Sequence, residues 1–250
     1  MEKVQHIVII GATSSIAEHC ARLWVAGSDI KLTLVGRNSE KTDQLASDLK
    51  IRNPSAAIQA LTCQFNEPTA ITQLASQIVS HGEIDIVLIA HGSLPDQAQS
   101  EQDLQACHDA LVINGISPVL FAEAFAGHMH KANHGCIAII SSVAGDRGRK
   151  SNYIYGSAKG LINRYGQGLQ HRFANTGVRI ILIKPGPIDT PMTVHLKQQG
   201  HRLESVQNAA QIIVNAIRQG KPVCYVPHKW AIIMMLIRHL PSFIFNRLDI

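Results

Sequence analysis

The sequence has no Cys-x-x-Cys pair, no Gly/Ser/Pro-rich linker, no internal repeat and no low-complexity tract. The five cysteines, Cys20, Cys63, Cys107, Cys136 and Cys224, are scattered, so they read as reduced thiols of a cytoplasmic protein rather than a disulfide framework. The missing linkers and repeats exclude a multidomain string and a solenoid. Charge is sparse at 16% of residues, and the net charge of +5 permits anionic ligands. No long basic helix or basic-aromatic alternation accompanies it, which argues against a nucleic-acid partner. No unbroken apolar run approaches the roughly 20 residues of a spanning helix. A strand begins almost at the first residue, so no signal peptide is expected.

What is present is 250 residues at 46% hydrophobic, enough for one large α/β core. Short apolar runs at 4–10, 32–35, 57–61, 84–89, 136–140, 178–183 and 223–226 alternate with helical patterns. That alternation predicts a single Rossmann-type domain, a doubly wound parallel sheet of about seven strands with right-handed crossovers. Residues 1–226 form the dinucleotide-binding catalytic domain in this reading. Residues 227–250 are an apolar, basic extension of it.

The first run leads into Gly11-Ala-Thr-Ser-Ser-Ile-Ala17 and then a helix. Strand, small-residue turn and helix make a phosphate cradle, in which the helix N-terminus offers free amides to a pyrophosphate and Gly11, Thr13, Ser14, Ser15 and Ile16 are the candidate cofactor residues. The second strand ends at Gly36-Arg37-Asn38, with no acidic residue to accept from a ribose 2′-hydroxyl. Arg37 brings a guanidinium suited to a 2′-phosphate, so NADP(H) is favoured over NAD(H). Gln64 and Phe65 should lie near the adenine. Ala90-His91-Gly92 closes the central strand at the carboxyl edge, where ligands bind in such sheets. His91 reads as a histidine beside the cofactor, with a catalytic role left open.

The chemistry is expected between Ser141 and Lys159. Tyr155 and Lys159 stand at i, i+4, on one face of a helix. An ammonium beside a phenol favours the phenolate and would lower its pKa from about 10. That would make Tyr155 a proton donor and acceptor near neutral pH. Ser142, at the end of the preceding strand, could place a hydroxyl against the same reacting oxygen. Asn114 lies inside a helical region over 104–129, a poor place for Asn unless its side chain has a task. Three prolines between Pro185 and Pro191 fix a loop at the sheet's carboxyl edge, and 194–200 reads as a lid.

Taken in order, the turn at Gly11, Asn114, Ser142, Tyr155-x-x-x-Lys159 and Pro185-Gly186 with Thr190 resemble the short-chain dehydrogenase/reductase family. The resemblance runs from Val4 to Val226. It implies an NADPH-linked reductase of a ketone with Ser142, Tyr155, Lys159 and Asn114 as a catalytic tetrad and no metal. Tyr155 would protonate the carbonyl oxygen, Ser142 would orient it, and Lys159 would bind the nicotinamide ribose. Asn114 would hold a water linking Lys159 to solvent. The backbone at Ile188 and the Thr190 hydroxyl would dock the nicotinamide carboxamide, beside Pro185 and Gly186. The family also implies a homodimer or homotetramer through the helices around Asn114 and Tyr155. Three departures stand out: Ser15 and Ala17 replace glycines, Gln64 replaces an Asp, and Ile89-Ala-His-Gly92 replaces Asn-Asn-Ala-Gly.

Residues 145–152 and 226–248 are similar to the keto-sugar reductase of the decaprenylphosphoryl-ribose epimerase pair, which implies a lipid-phosphate-linked keto-sugar as substrate. A 3-oxoacyl thioester or another ketone, and a non-catalytic NADP-binding partner protein, stay open. Arg147, Arg149 and Lys150 either bind a substrate anion or form a solvated or subunit-facing loop. In the tail, Trp230, Ile233, Met234 and Ile237 share one helical face, but the opposite face is apolar too. With Lys229, Arg238 and Arg247 flanking it, the tail suits either a subunit interface or peripheral membrane contact.

Overall fold

The apolar runs become seven strands of one sheet in the computed structural model, which describes residues 4–27 and 30–248. Residues 1–3, 28–29 and 249–250, which include the extremes of the two ranges assigned from sequence, lie outside that description. The strands are β1 (Gln5–Ile10), β2 (Ile30–Gly36), β3 (Ala57–Thr62), β4 (Ile86–Ile89), β5 (Gly135–Ile140), β6 (Val178–Pro185) and β7 (Val223–Val226). All pair in parallel, in the order β3-β2-β1-β4-β5-β6-β7. The winding direction reverses between β1 and β4, so their carboxyl ends open the crevice in which doubly wound sheets hold ligands. β4 and β5 are buried throughout because helices cover both faces, and they accordingly read as unbroken apolar runs.

On one face lie α1 (Ser15–Gly27), α2 (Ser39–Arg52) and α9 (Val206–Gln219), packed through Ala17, Leu45, Leu49 and Ile213. On the other lie α3 (Pro68–Ser80), α6 (Ser117–Ala132) and α7 (Tyr153–Arg172), packed through Leu74, Phe121, Phe125 and Ile162. Short helices α4 (Gln97–Gln102), α5 (Leu104–Leu111) and α8 (Val194–Gln198) sit in the connections. α10 (Lys229–His239) and α11 (Ser242–Phe245) form the tail. The segment read as a lid, 194–200, is α8 and the turn after it, preceded by the 3-10 turn Pro191–Thr193.

The helical region expected over 104–129 is not one regular helix. Between α5 and α6 it widens into a π turn, Val112–Ile116, with Asn114 at its centre. Asn114 Nδ2 donates to the Ala110 carbonyl at 2.9 Å, taking the acceptor that residue 114 would use in an α-helix. Pro118, four residues on, has no N–H to return to the Asn114 carbonyl. By mean hydropathy the stretch Leu104–Ala132 is long and apolar enough to cross a membrane, yet half of its most apolar window is buried in the fold.

Candidate active site

The turn after β1 is built for an anion. Gly11 has φ +80°, and a Cβ there would lie 2.6 Å from the backbone nitrogen of His91. Only glycine permits both. The Gly11 and Ala12 amides donate to the Val35 carbonyl, and Ala17 N–H is capped by Ser14 Oγ at 3.3 Å. The amides of Thr13, Ser15 and Ile16 have no acceptor among the described residues. They stand free at the positive end of α1, which suits a pyrophosphate. Ala17, one of the departures, is fully buried, and its small side chain lets α1 lie close on the sheet.

Beyond the turn a cavity of about 510 Å³ is lined by Arg37, Thr62, Cys63, Gln64, Phe65, Asn66 and Glu67. Arg37 is exposed, 6.0 Å from the centre of the Phe65 ring, and pairs with no carboxylate among the described residues. Asn38 has a structural task, since its Oδ1 accepts from Lys41 N–H at 2.9 Å and caps α2. Phe65 packs edge-on against His91 and Phe121. The Ser117 hydroxyl donates to the Phe65 carbonyl at 2.6 Å and therefore accepts from His91 Nε2 at 2.9 Å. This fixes the tautomer and leaves His91 Nδ1 a buried acceptor without a partner among the described residues. Burial, with Lys159 and Arg37 nearby, pushes the His91 pKa down to about 3, which removes it as an acid or base near neutral pH. A lone acceptor beside the glycine turn, free helix amides and an unpaired arginine together match the donors and acceptors of a dinucleotide.

Ser142, Tyr155, Lys159 and Asn114 converge at the carboxyl edge of β4 and β5. Ser142 follows β5 and opens a 3-10 turn, Val143–Asp146, by accepting from Ala144 N–H at 3.1 Å. It also hydrogen-bonds Tyr155. Lys159 is 3% exposed; its Nζ donates to the Ile140 carbonyl at 3.2 Å and lies 5.6 Å from the Tyr155 ring centre. Asn114 Oδ1 accepts from Ser93 N–H at 2.8 Å, pinning the loop after β4. Gly92 lies between, with φ +156°; a Cβ there would meet Asn114 Oδ1 at 2.8 Å and Lys159 Nζ at 3.6 Å.

The expected acidification of Tyr155 is not found. Burial pushes its pKa up to about 12, opposed by the Ser142 hydrogen bond. Burial also pulls Lys159 down to about 8. The ammonium is held against the Ile140 carbonyl and over the Tyr155 ring, and both charged forms pay for leaving water.

On the far side of the crevice, Gly186 N–H donates to the Val226 carbonyl at 2.8 Å, which holds the loop after Pro185 beside β7. Ile188 is buried and bridges to Glu204. Thr190 and Thr193 cap one another's backbone at the start of the 3-10 turn, and the Thr193 hydroxyl donates to the Ile188 carbonyl.

The contacts of two residues, Asp146 and Arg147, had no sequence signal. Asp146 accepts from Lys184 Nζ at 2.6 Å, Tyr225 OH at 2.6 Å and Asn163 Nδ2 at 3.1 Å, all beneath the turn that Ser142 opens. Arg147 is half-buried, and its guanidinium is engaged within the chain. Its Nη1 donates to the carbonyls of Ile237 and Leu240 at 2.5 and 2.6 Å, and its guanidinium lies 3.8 Å from the Phe245 ring centre. The tail claims it. Arg149 is half-buried, its Nε without a partner among the described residues, and burial lowers its pKa.

The short chain dehydrogenase family model matches residues 5–201. An uncharacterized oxidoreductase of Mycobacterium tuberculosis is 31% identical over 249 residues, covering 97% of this chain and 96% of its own. Among solved structures, a short-chain dehydrogenase from Sphingobium yanoikuyae in complex with NADPH superposes with a TM-score of 0.82 at 19% identity, covering 96% of this chain and 97% of that one. Actinorhodin polyketide ketoreductase with NADPH gives 0.79 at 18%, covering 89% and 95%.

Proposed function

From the premise that this chain belongs to the short-chain dehydrogenase/reductase family, we propose that it is an NADPH-dependent reductase converting a ketone to a secondary alcohol. The observation that carries the reading is the convergence of Ser142, Tyr155, Lys159 and Asn114 beside a turn with three unpartnered amides. NADPH, when bound, supplies the hydride. Gly11, Thr13, Ser14, Ser15 and Ile16 hold its pyrophosphate; Arg37, Gln64 and Phe65 hold its adenosine end. Ala90, His91 and Gly92 line the crevice between, and Pro185, Gly186, Ile188 and Thr190 flank its far end. Two solved structures of the same fold contain NADPH, which agrees with this choice.

Tyr155 donates its phenolic proton to the ketone oxygen, and with a pKa of about 12 the phenol is fully protonated for the task. The Ser142 hydroxyl, hydrogen-bonded to Tyr155, orients the same oxygen. Lys159 stabilises the negative charge that grows on the phenol as the proton leaves, and it does so only while protonated. Its folded pKa is about 8, so the charged form is lost as pH rises through that value. Reduction of ketones by NADPH should therefore show a kcat/KM that is flat on the acid side and falls tenfold per unit above about pH 8. A panel containing a keto-sugar phosphate, a 3-oxoacyl thioester and a simple ketone tests the assignment through NADPH absorbance. No turnover on any of them, or a rate that climbs through pH 8, would contradict it.

Arg37 carries the preference for NADPH. Arg37→Ser should raise the KM for NADPH by about 10–100-fold, the worth of a charge-assisted contact to phosphate, and leave that for NADH nearly unchanged. Equal effects on both cofactors would deny it this role. Arg149, a half-buried cation in the loop between Ser142 and Tyr155 with a free Nε, favours a substrate with an anionic group such as a lipid-phosphate-linked keto-sugar. Cytoplasmic localisation and assembly as a homodimer or homotetramer belong to the same proposal. α5 and α7 leave Leu104, Tyr153 and Leu161 exposed for subunit contact.

A further inference from the structure

Burial divides the tail into two faces. Trp230, Ile233, Met234 and Ile237 turn toward the protein, with Met234 1% exposed and the Trp230 indole filling the space beside Gly186. Ile232, Met235 and Leu236, at the spacing of the opposite face, are 64%, 50% and 61% exposed. Past Pro241, Phe243 at 69% continues that apolar surface. Lys229, Arg238 and Arg247 are exposed around it, with His228 and His239, and residues 227–248 contain no Asp or Glu.

This surface is tied to the catalytic turn. Arg147, the residue after Val143–Asp146, donates to the last carbonyls of α10 and stacks on Phe245. Trp230 meets the loop that follows β6 at the same edge of the sheet. We infer that the outward face of α10 and α11 seats the protein on the surface of an anionic bilayer, beside the mouth of its own active site. An exposed apolar stripe with a cationic border is the composition of an interfacial helix. α10, with 11 residues, is far too short to span the bilayer. A second copy of the chain fits less well, because a two-fold contact sets this patch against itself and brings three cations together with Asp249 as the tail's single acidic side chain to meet them. That a lipid-linked ketone reaches Tyr155 from this side rests on the proposed function; the docking does not.

Flotation of the full-length protein with phosphatidylcholine vesicles, with and without phosphatidylglycerol, reads the docking without turnover. The protein should float with the anionic vesicles and stay behind with the neutral ones, more so at low salt. Replacing Lys229, Arg238 and Arg247 by Gln should weaken vesicle partition on the order of a hundredfold, at about fivefold for each cation near an anionic leaflet. Leu236→Ser with Phe243→Ser, at exposed positions where thermal melting should be unchanged, should weaken it by at least tenfold. Wild-type protein that ignores anionic vesicles would overturn the inference. So would variants that float as well as wild type, or a Leu236→Ser protein whose sedimenting mass falls to that of a smaller oligomer.

Discussion

Tyr155→Phe is expected to lower kcat for NADPH-dependent ketone reduction by about 10²–10⁴-fold while leaving NADPH affinity within a factor of about three. The substitution removes one oxygen and keeps the ring that packs against Lys159. The Ser142 hydroxyl loses its phenolic partner but keeps its bond from the Ala144 amide, so the turn it opens should hold its shape. Steady-state turnover and a fluorescence titration with NADPH separate the two effects. A Phe variant that keeps more than a tenth of the wild-type rate would require another proton donor, and the structure offers few. His91 is buried and held neutral at a pKa of about 3. Lys159, with its pKa near 8, is the titrating group that remains beside the oxygen. A wild type and a variant equally inert on every ketone would instead favour a protein that binds NADPH without using it.

The largest effect on stability is expected at Asp146. Its carboxylate sits 3% exposed against a Lys184 ammonium at 5%, and Tyr225 and Asn163 supply its other hydrogen bonds. Asp146→Ala leaves a buried ammonium without a counter-charge, which costs about 3–5 kcal/mol. For a chain of this size that corresponds to a melting temperature lower by roughly 10 °C. Removing both charges, as in Asp146→Ala with Lys184→Met, should restore much of the loss, because a buried pair contributes little beyond cancelling its own desolvation. A single variant that melts within a degree of wild type would show that water reaches Lys184. Activity should fall with the single variant as well, since the same carboxylate braces the turn between Ser142 and Arg147.

The sequence made the sheet legible because its strands are buried on both faces. A continuous apolar run such as 136–140, bounded by Gly135 and Ser141, is too short for a helix and too apolar for a surface loop. It made the phosphate turn legible for a similarly local reason: Gly11 and the small residues after it answer to their immediate neighbours. Tyr155 and Lys159 could be paired because a helix brings i and i+4 together. What stayed hidden depended on distance along the chain. Asp146 meets Lys184 38 residues away, and Arg147 meets Leu240 93 residues away. No periodicity announces either contact. The expected acidification of Tyr155 failed for a related reason. Spacing placed an ammonium one turn from a phenol, but burial of both groups, which only the folded chain reveals, outweighed their proximity. Likewise the tail's amphipathic character was invisible while both faces read as apolar; packing against Gly186 and Arg147 chose which face turned inward.

The wide turn at 112–116 holds one residue more than an α-helical turn would. Deleting a residue here would let the hydrogen bonds close to the ordinary i to i−4 pattern, so Phe121 and Phe125 would stay enclosed. What would go is the bulge that brings Asn114 against Ser93 and the loop after β4. A single deleted codon there should spare the fold and release that loop, so this one surplus residue separates what the helix needs for packing from what the crevice needs for its shape.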